Sequence, residues 1–440
     1  HGLPGSDVLS VDGERMLQRI AIELYDFELV PMEVHGVVCL TGVYHANEDA
    51  LVGLDLEKRV LQGLGERVAV DGVEAAGLVE EFHLPGMSVG IVVGDDLVFA
   101  EGFGFADIES GRPQDPALRQ RIGSITKTMV ALCAMRLVDE GRLSLDDRVV
   151  DRLPDLRLDG PAESLCVSHL LTHTGGLSYW HFQDTPVDEM YKQADLRNPD
   201  STLKEMIGKL GQLPLAYHPG TVWRYSLATD VLGYLVEVIS DTPFDRFLKE
   251  RILEPLGMED TDFYVPEHKL DRLAAVYGPG QESGIQELHG PLVDSIRRSR
   301  TMFFGGQGLV STASDYLRFC QMMLNGGVLN GTRLLAPKTV DLMTMNHLPD
   351  ALLPFSVSAA LADGAKGCGF GLGFRVVTDL ARHGILGSKG MYSWGGAAST
   401  VFWIDPGEEV IAILMTQFMP SGQHPIRREF QVATYQALVE

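Results

Sequence analysis

Cysteine is scarce in this chain. It has five in 440 residues (Cys39, Cys133, Cys166, Cys320 and Cys368), an odd number, widely scattered and without a C-x-x-C pair. A disulfide framework or zinc site needs paired or clustered thiols, so reduced and mostly buried cysteines are expected instead. No HExxH run or His/Asp cluster is present, and neither a metal nor an organic cofactor is implied. No stretch approaches the roughly 18 apolar residues a membrane span needs, so no membrane association is expected. Basic residues are in deficit, with 36 Lys and Arg against 60 Asp and Glu and a formal charge of −24. Neutralising phosphates needs a basic face, which argues against nucleic acid as a partner. No basic segment followed by an apolar one marks a secretory leader. Together with the thiols, that points to a cytoplasmic setting. Internal repeats and low-complexity tracts are also missing.

What is present has the balance of an ordinary globular protein, 45 % apolar and 22 % charged. The length suits two or three domains at roughly 150 residues each. Residues 1–50 read as an N-terminal extension without an assignable role, with a strand-like stretch from Val34 to Tyr44. Apolar spacing from Asp55 to Phe82 fits an amphipathic helix. Two β-prone runs, Met87–Val93 and Leu97–Phe103, flank Gly94-Asp95-Asp96 and read as a hairpin. A helix from Ser124 to Glu140 closes at Gly141 as a left-handed cap. Residues 146–299 are mostly helical, with helices at 226–240 and 242–252 and a polar, Gly-rich loop at 273–299. A helix at 312–325 has Ser311 or Thr312 as its N-cap. Strand-like runs follow at 371–378, 399–404 and 409–415, then a closing helix at 425–439. Strands at both ends with helices between predict an α+β fold: residues 51–145 and 300–440 build one antiparallel sheet with flanking helices, and 146–299 form an inserted helical domain.

The chemistry concentrates in three places. In Gly123-Ser124-Ile125-Thr126-Lys127, Ser124 and Lys127 are three residues apart and share a helix face. The apolar continuation Met129–Met135 predicts burial on most sides. Desolvation is expected to lower the lysine pKa from about 10.4, making Lys127 a proton acceptor for Ser124 near neutrality. A serine at a helix N-terminus also presents its own N–H to an oxyanion. The bland alternative is a helix cap followed by a lysine that snorkels outward. The second place is Tyr225, just before the helix that continues Thr229-Asp230-Val231. A phenolate beside an ammonium is favoured and could deprotonate a serine. The third is Trp394-Gly395-Gly396-Ala397, where two glycines at a strand margin permit close approach by a ligand and a free N–H can complete an oxyanion hole. A simple turn is the rival reading.

Two decoys test these readings. Gly86-Met87-Ser88-Val89-Gly90 satisfies G-x-S-x-G, but a nucleophile elbow needs a strand before the serine and a helix after it, and here the order is reversed. Ser201-Thr202-Leu203-Lys204 repeats S-x-x-K at the head of a polar helix and reads as a cap.

With these residues in view, the sequence resembles the serine β-lactamase and penicillin-binding-protein-like hydrolases, and within them the class C-related family VIII carboxylesterases. The resemblance runs from about residue 65 to the end. It rests on Pro85-Gly86-Met87-Ser88-Val89, Gly123–Lys127, Leu170-Leu171-Thr172-His173-Thr174-Gly175-Gly176-Leu177, Pro219-Gly220-Thr221, Tyr225-Ser226, Pro255-Leu256-Gly257-Met258 and Gly306-Gln307-Gly308-Leu309, in that order. It implies Ser124 as the acylated nucleophile, Lys127 and Tyr225 as its base pair, and the N–H groups of Ser124 and Ala397 as the oxyanion hole. It also implies a mixed α/β domain beside a helical one.

Two departures from the family pattern bear on substrate. The lactamases and peptidases carry Tyr-x-Asn, whose asparagine hydrogen-bonds an amide side chain; here that position is Leu227. They open the third motif with Lys or His, useful for a carboxylate; here it is Trp394. Both changes replace polar recognition with apolar surface and point to a small-molecule ester. Trp394, Gly395, Gly396 and Leu227 are therefore expected to contact substrate. Tyr179 and Trp180, in the aromatic run Tyr179–Phe182, are expected to line an acyl or alcohol pocket. The rivals are a β-lactamase, a D-amino-acid peptidase or an acyltransferase on the same scaffold, and a catalytically silent binding protein.

Overall fold

The computed structural model describes residues 28–34, 37–43, 72–157, 160–280, 284–357 and 365–438. The chain divides into two units, His1–Gly65 and Glu66–Glu440. Within the first, strands Glu28–Val34 and Val37–Val43 pair antiparallel as a hairpin. The strand expected from Val34 to Tyr44 is its second arm; the expected helix from Asp55 is described only from Gly72 to Glu81.

The second unit holds an eight-stranded sheet. From the N-terminal side come β1 (Gly86–Val93), β2 (Asp96–Asp107) and β3 (Arg112–Pro113). From the C-terminal side come β4 (Cys368–Phe370), β5 (Arg375–Val377), β6 (Tyr392–Gly395), β7 (Val401–Asp405) and β8 (Val410–Thr416). The order is β4-β5-β6-β7-β8-β1-β2-β3, and every neighbouring pair is antiparallel. The two ends of the chain therefore meet at β8 and β1, as the strand pattern predicts. The seven residues of β8, VIAILMT, are all buried, the unbroken apolar run of a strand covered on both faces.

The helices that concern the site are α1 (Gly72–Glu81), α2 (Thr126–Asp139), α3 (Ala228–Ser240), α4 (Ala313–Leu324) and α5 (Ile426–Ala437). α4 lies on β8 and β1, and α2 packs on α3. α2 is apolar nearly all round: Met129 to Met135 are fully buried. Each of its larger side chains, Met129, Val130, Leu132 and Met135, contributes about 1.5–3 kcal/mol by leaving water, so this helix is a pillar of the core. It ends when Gly141 turns left-handed at φ 70° and donates to the Val138 carbonyl at 2.9 Å. Thr312, of the two expected caps of α4, accepts from the Asp315 amide.

The elements differ from expectation in three places. The run at 371–378 is the turn and second arm of the β4–β5 hairpin. β6 escapes the sequence reading because it is four residues long and ends at Gly395, the first of a glycine pair that reads as a turn. The stretch 273–299 is not all loop: Tyr277–Pro279 and Ile285–Glu287 pair, and short helical turns follow.

Candidate active site

Ser124 stands in a 3₁₀ turn, Gly123–Ile125, that runs directly into α2. The preceding Gly123 has φ 57°, and a Cβ there would come within 3.0 Å of the Ala397 amide nitrogen. Glycine is thus required both for the backbone turn and for that close approach. The turn after β6 is stapled to the same place, because Thr400 Oγ1 donates to the Ile122 carbonyl at 2.9 Å. Ala397 is exposed and Ser124 partly so. The two glycines are also needed for packing within the chain. A Cβ on Gly396 would lie 2.3 Å from the Ile122 carbonyl oxygen, and one on Gly395 would lie 2.7 Å from the Arg427 guanidinium.

One turn into α2, Lys127 is only 2 % exposed. It does not snorkel. Its ammonium donates to the Gly306 carbonyl at 2.5 Å and lies 4.6 Å from the centre of the Tyr225 ring and 5.5 Å from that of Tyr179. Burial pushes the Lys127 pKa down, but the oxygens of Tyr179 and Tyr225 and the carboxylate of Asp230 outweigh it, and the net shift is upward. The expected downward shift is therefore corrected to an upward one. Tyr179 moves up as well, since burial disfavours its phenolate more than Lys127 favours it.

Tyr225 is buried at the head of α3, and the Trp394 indole N–H donates to its hydroxyl oxygen at 3.2 Å. Trp394 is therefore not just apolar surface: it brings a hydrogen-bond donor to the phenol. Tyr225 thus has a cation over its ring and a donor on its oxygen. His173 takes a left-handed φ of 56°, uncommon outside glycine, and its ring lies 4.8 Å from that of Tyr225 with Nδ1 3.3 Å from Ser226 Oγ. Burial, aided by Lys127, holds His173 well below its usual pKa, so it is a neutral packing partner.

Leu227 is 2 % exposed and precedes α3, with its amide donating to the Ser178 carbonyl at 3.3 Å. Tyr179 belongs to the Lys127 cluster. Trp180 is half-buried, edge-on to Tyr179 at 5.3 Å, with the Arg197 guanidinium 4.4 Å from its ring. The aromatic loop is tied to the residue before Tyr225: Arg224 donates to Ser178 Oγ at 3.0 Å, pairs with Asp184 and Asp188, and covers Phe182 at 4.3 Å.

Sequence reasoning passed over Asp230, Gly306 and Arg224. An isolated carboxylate in the first turn of the apolar α3 was the available signal for Asp230. The decoys fall away: Ser88 is fully buried within β1 and accepts from Gln120 Nε2 at 2.9 Å. At the second S-x-x-K the cap is Thr202 rather than Ser201, and Lys204 is exposed. Two cavities of about 580 and 670 Å³, lined by residues such as Asp350 and Arg382 or Gln212 and Tyr217, include none of these site residues. Among the described residues, no group of three or more His, Cys, Asp or Glu could hold a metal ion, and no helix is long and apolar enough to cross a membrane.

Sheet, helices and the Ser-x-x-Lys turn together define the serine β-lactamase-like class. The beta-lactamase family model matches residues 72–436, and the chain belongs to that family. Protein Rv1367c of Mycobacterium tuberculosis (strain ATCC 25618 / H37Rv) is 35 % identical over 344 residues, covering 74 % of this chain and 84 % of that protein. Esterase EstB of Burkholderia gladioli is 30 % identical over 347 residues, again 74 % and 84 %. Among solved structures, EstCE1, described as a hydrolase with promiscuous acyltransferase activity, superposes with a TM-score of 0.72 at 25 % identity, covering 86 % of this chain and 98 % of that one.

Proposed function

We propose that this protein is a carboxylesterase that cleaves short-acyl esters through an acyl-enzyme on Ser124. The observation that carries this reading is the double support of Tyr225, by the Lys127 ammonium over its ring and the Trp394 N–H on its oxygen. Tyr225 takes the proton of Ser124 Oγ as that oxygen attacks the ester carbonyl carbon. The oxyanion that forms accepts hydrogen bonds from the N–H groups of Ser124 and Ala397. Collapse breaks the bond to the alcohol oxygen, which leaves with the proton from Tyr225. Water, activated by the same phenolate, releases the acid. Lys127 keeps its charge throughout.

Leu227 and Trp394 favour an ester over a lactam. Neither offers the amide or the cation that a carboxylated amide substrate would need, and a lost polar contact of that kind is expensive. The similarity to EstB, named as an esterase, supports the same choice. EstCE1's described acyltransferase activity favours a second reading, in which an alcohol replaces water as acyl acceptor.

The test is hydrolysis of p-nitrophenyl acetate beside a chromogenic cephalosporin bearing an acetoxy group. The expected result is ester cleavage in both compounds with the lactam ring intact, and a loss of at least about 10³-fold in Ser124→Ala. Ring opening as the main reaction, or near-wild-type activity of that variant, overturns the proposal. A new ester formed on adding an acceptor alcohol would show transfer.

A further inference from the structure

Three buried side chains converge on one glycine. Gly306 accepts from Lys127 through its carbonyl at 2.5 Å and donates through its amide to Asp230 Oδ1 at 3.1 Å. A Cβ on Gly306 would lie 2.9 Å from Asp230 Oδ2, 2.9 Å from Tyr179 Oη and 3.1 Å from Lys127 Nζ. Asp230 and Lys127 are each 2 % exposed. A buried ammonium without an anion, or the reverse, is severely destabilising, so each of these groups makes the other tolerable.

We propose that Asp230 is a positioning residue, the counter-charge that keeps Lys127 an ammonium, so that the oxygen of Tyr225 rather than the lysine amine receives the Ser124 proton. This rests on the acyl-enzyme reading above. The charged and titratable groups around the pair fit that assignment. Tyr179 and Tyr225 face Lys127 with their rings, and His173 is held neutral by burial and by Lys127 itself. His181 is held down by burial, Arg197 and Lys127. Facing Asp230 are Lys127 and Arg197, both cations, and the Gly306 amide; burial pushes its carboxyl up, these three oppose that push, and the net shift is upward. Gly306 matters because its backbone bridges the two charges. The carboxylate supplies the field that holds the proton on nitrogen, while the ammonium itself stays over Tyr225. In the reaction, the Ser124 O–H bond breaks and the Tyr225 O–H bond forms; the N–H bonds of Lys127 stay intact.

The test reads the pH dependence of Ser124 reactivity in two ways: labelling by a fluorophosphonate probe, which needs no ester specificity, and p-nitrophenyl acetate turnover. In Asp230→Asn the anion is gone, Lys127 holds its proton less tightly, and the alkaline limb of both profiles should move to lower pH. kcat should fall by roughly 10- to 100-fold, the scale on which groups that orient a reacting residue act, with KM within about two-fold of wild type. Added to Lys127→Met, the same change should cost nothing further. A merely structural role would lower the yield or the melting temperature and leave the limb in place. If Asp230→Asn does not fold, Gly306→Ala, which puts a methyl among the three side chains, must show the same limb shift. Unmoved limbs, or a full extra loss in the Lys127→Met background, overturn the proposal. Wild-type labelling without ester turnover overturns only the choice of substrate.

Discussion

Two regions of this protein gather cations around a single aspartate, and they do so in opposite ways. At Asp260, three cations touch the carboxylate directly: Arg119 at 2.7 Å, Lys269 at 2.7 Å and Arg272 at 2.6 Å. Burial alone would push that carboxyl up, but hydrogen bonds from Arg272, Lys269 and Arg119 hold it well below the usual carboxylate range. At Asp230, the Gly306 backbone bridges the carboxylate and the ammonium of Lys127. Contact uses up the donors and locks the structure. Separation leaves the cation's field directed at a third group, the Tyr225 phenol. A protein with a net charge of −24 has no shortage of carboxylates. What distinguishes the site is where one is placed.

The sharpest way to break this contrast is at Lys127. Lys127→Met keeps the length and burial but removes the charge, and should lower kcat/KM for p-nitrophenyl acetate by about 10³-fold, near 4 kcal/mol, and also lower the melting temperature, because Asp230 is left buried without its cation. A loss under ten-fold would mean that the buried ammonium is structural, like its counterparts around Asp260.

The next largest effect belongs to Asp260. Asp260→Ala leaves a nearly buried Arg119 without its anion and should cost about 3 kcal/mol in urea unfolding, with esterase kcat unchanged. The sign with pH follows from the depressed folded-state pKa. The stabilisation is fully present above the unfolded carboxyl's pKa of about 3.9 and is lost as pH falls below it. Wild type should therefore lose more stability than the variant between about pH 4 and 2, and parallel curves would contradict the assignment.

Trp394→Phe should have the smallest effect. It removes the N–H from the Tyr225 oxygen and little else, and one net hydrogen bond is worth about 1 kcal/mol, or five- to ten-fold in kcat. If KM rises while kcat holds, Trp394 acts on substrate alone.

How much of this was legible in the sequence depends on distance along the chain. Ser124 and Lys127 could be read because a helix turn fixes their relation locally, and the apolar run after them foretold burial correctly. The consequence of that burial was misjudged. Desolvation is the largest influence on Lys127, but the groups that overrule it, at Tyr179, Tyr225 and Asp230, arrive from far along the chain. The Trp394–Tyr225 bond spans 169 residues. Asp230 hid in plain view, since an acidic residue in a helix's first turn normally answers the helix dipole and needs no other explanation. For the fold, the meeting of both chain ends in one antiparallel sheet was readable from alternating and apolar runs. The four-residue β6 was not, because its glycines carry a turn signal stronger than its strand signal.

The account stands most directly on the covalent intermediate. Protein quenched in acid during steady-state turnover of p-nitrophenyl acetate, then digested and analysed by mass spectrometry, should carry an acetyl group on Ser124, and Ser124→Ala should carry none. An acetyl group on another residue, or continued turnover with Ser124 unmodified, would contradict it.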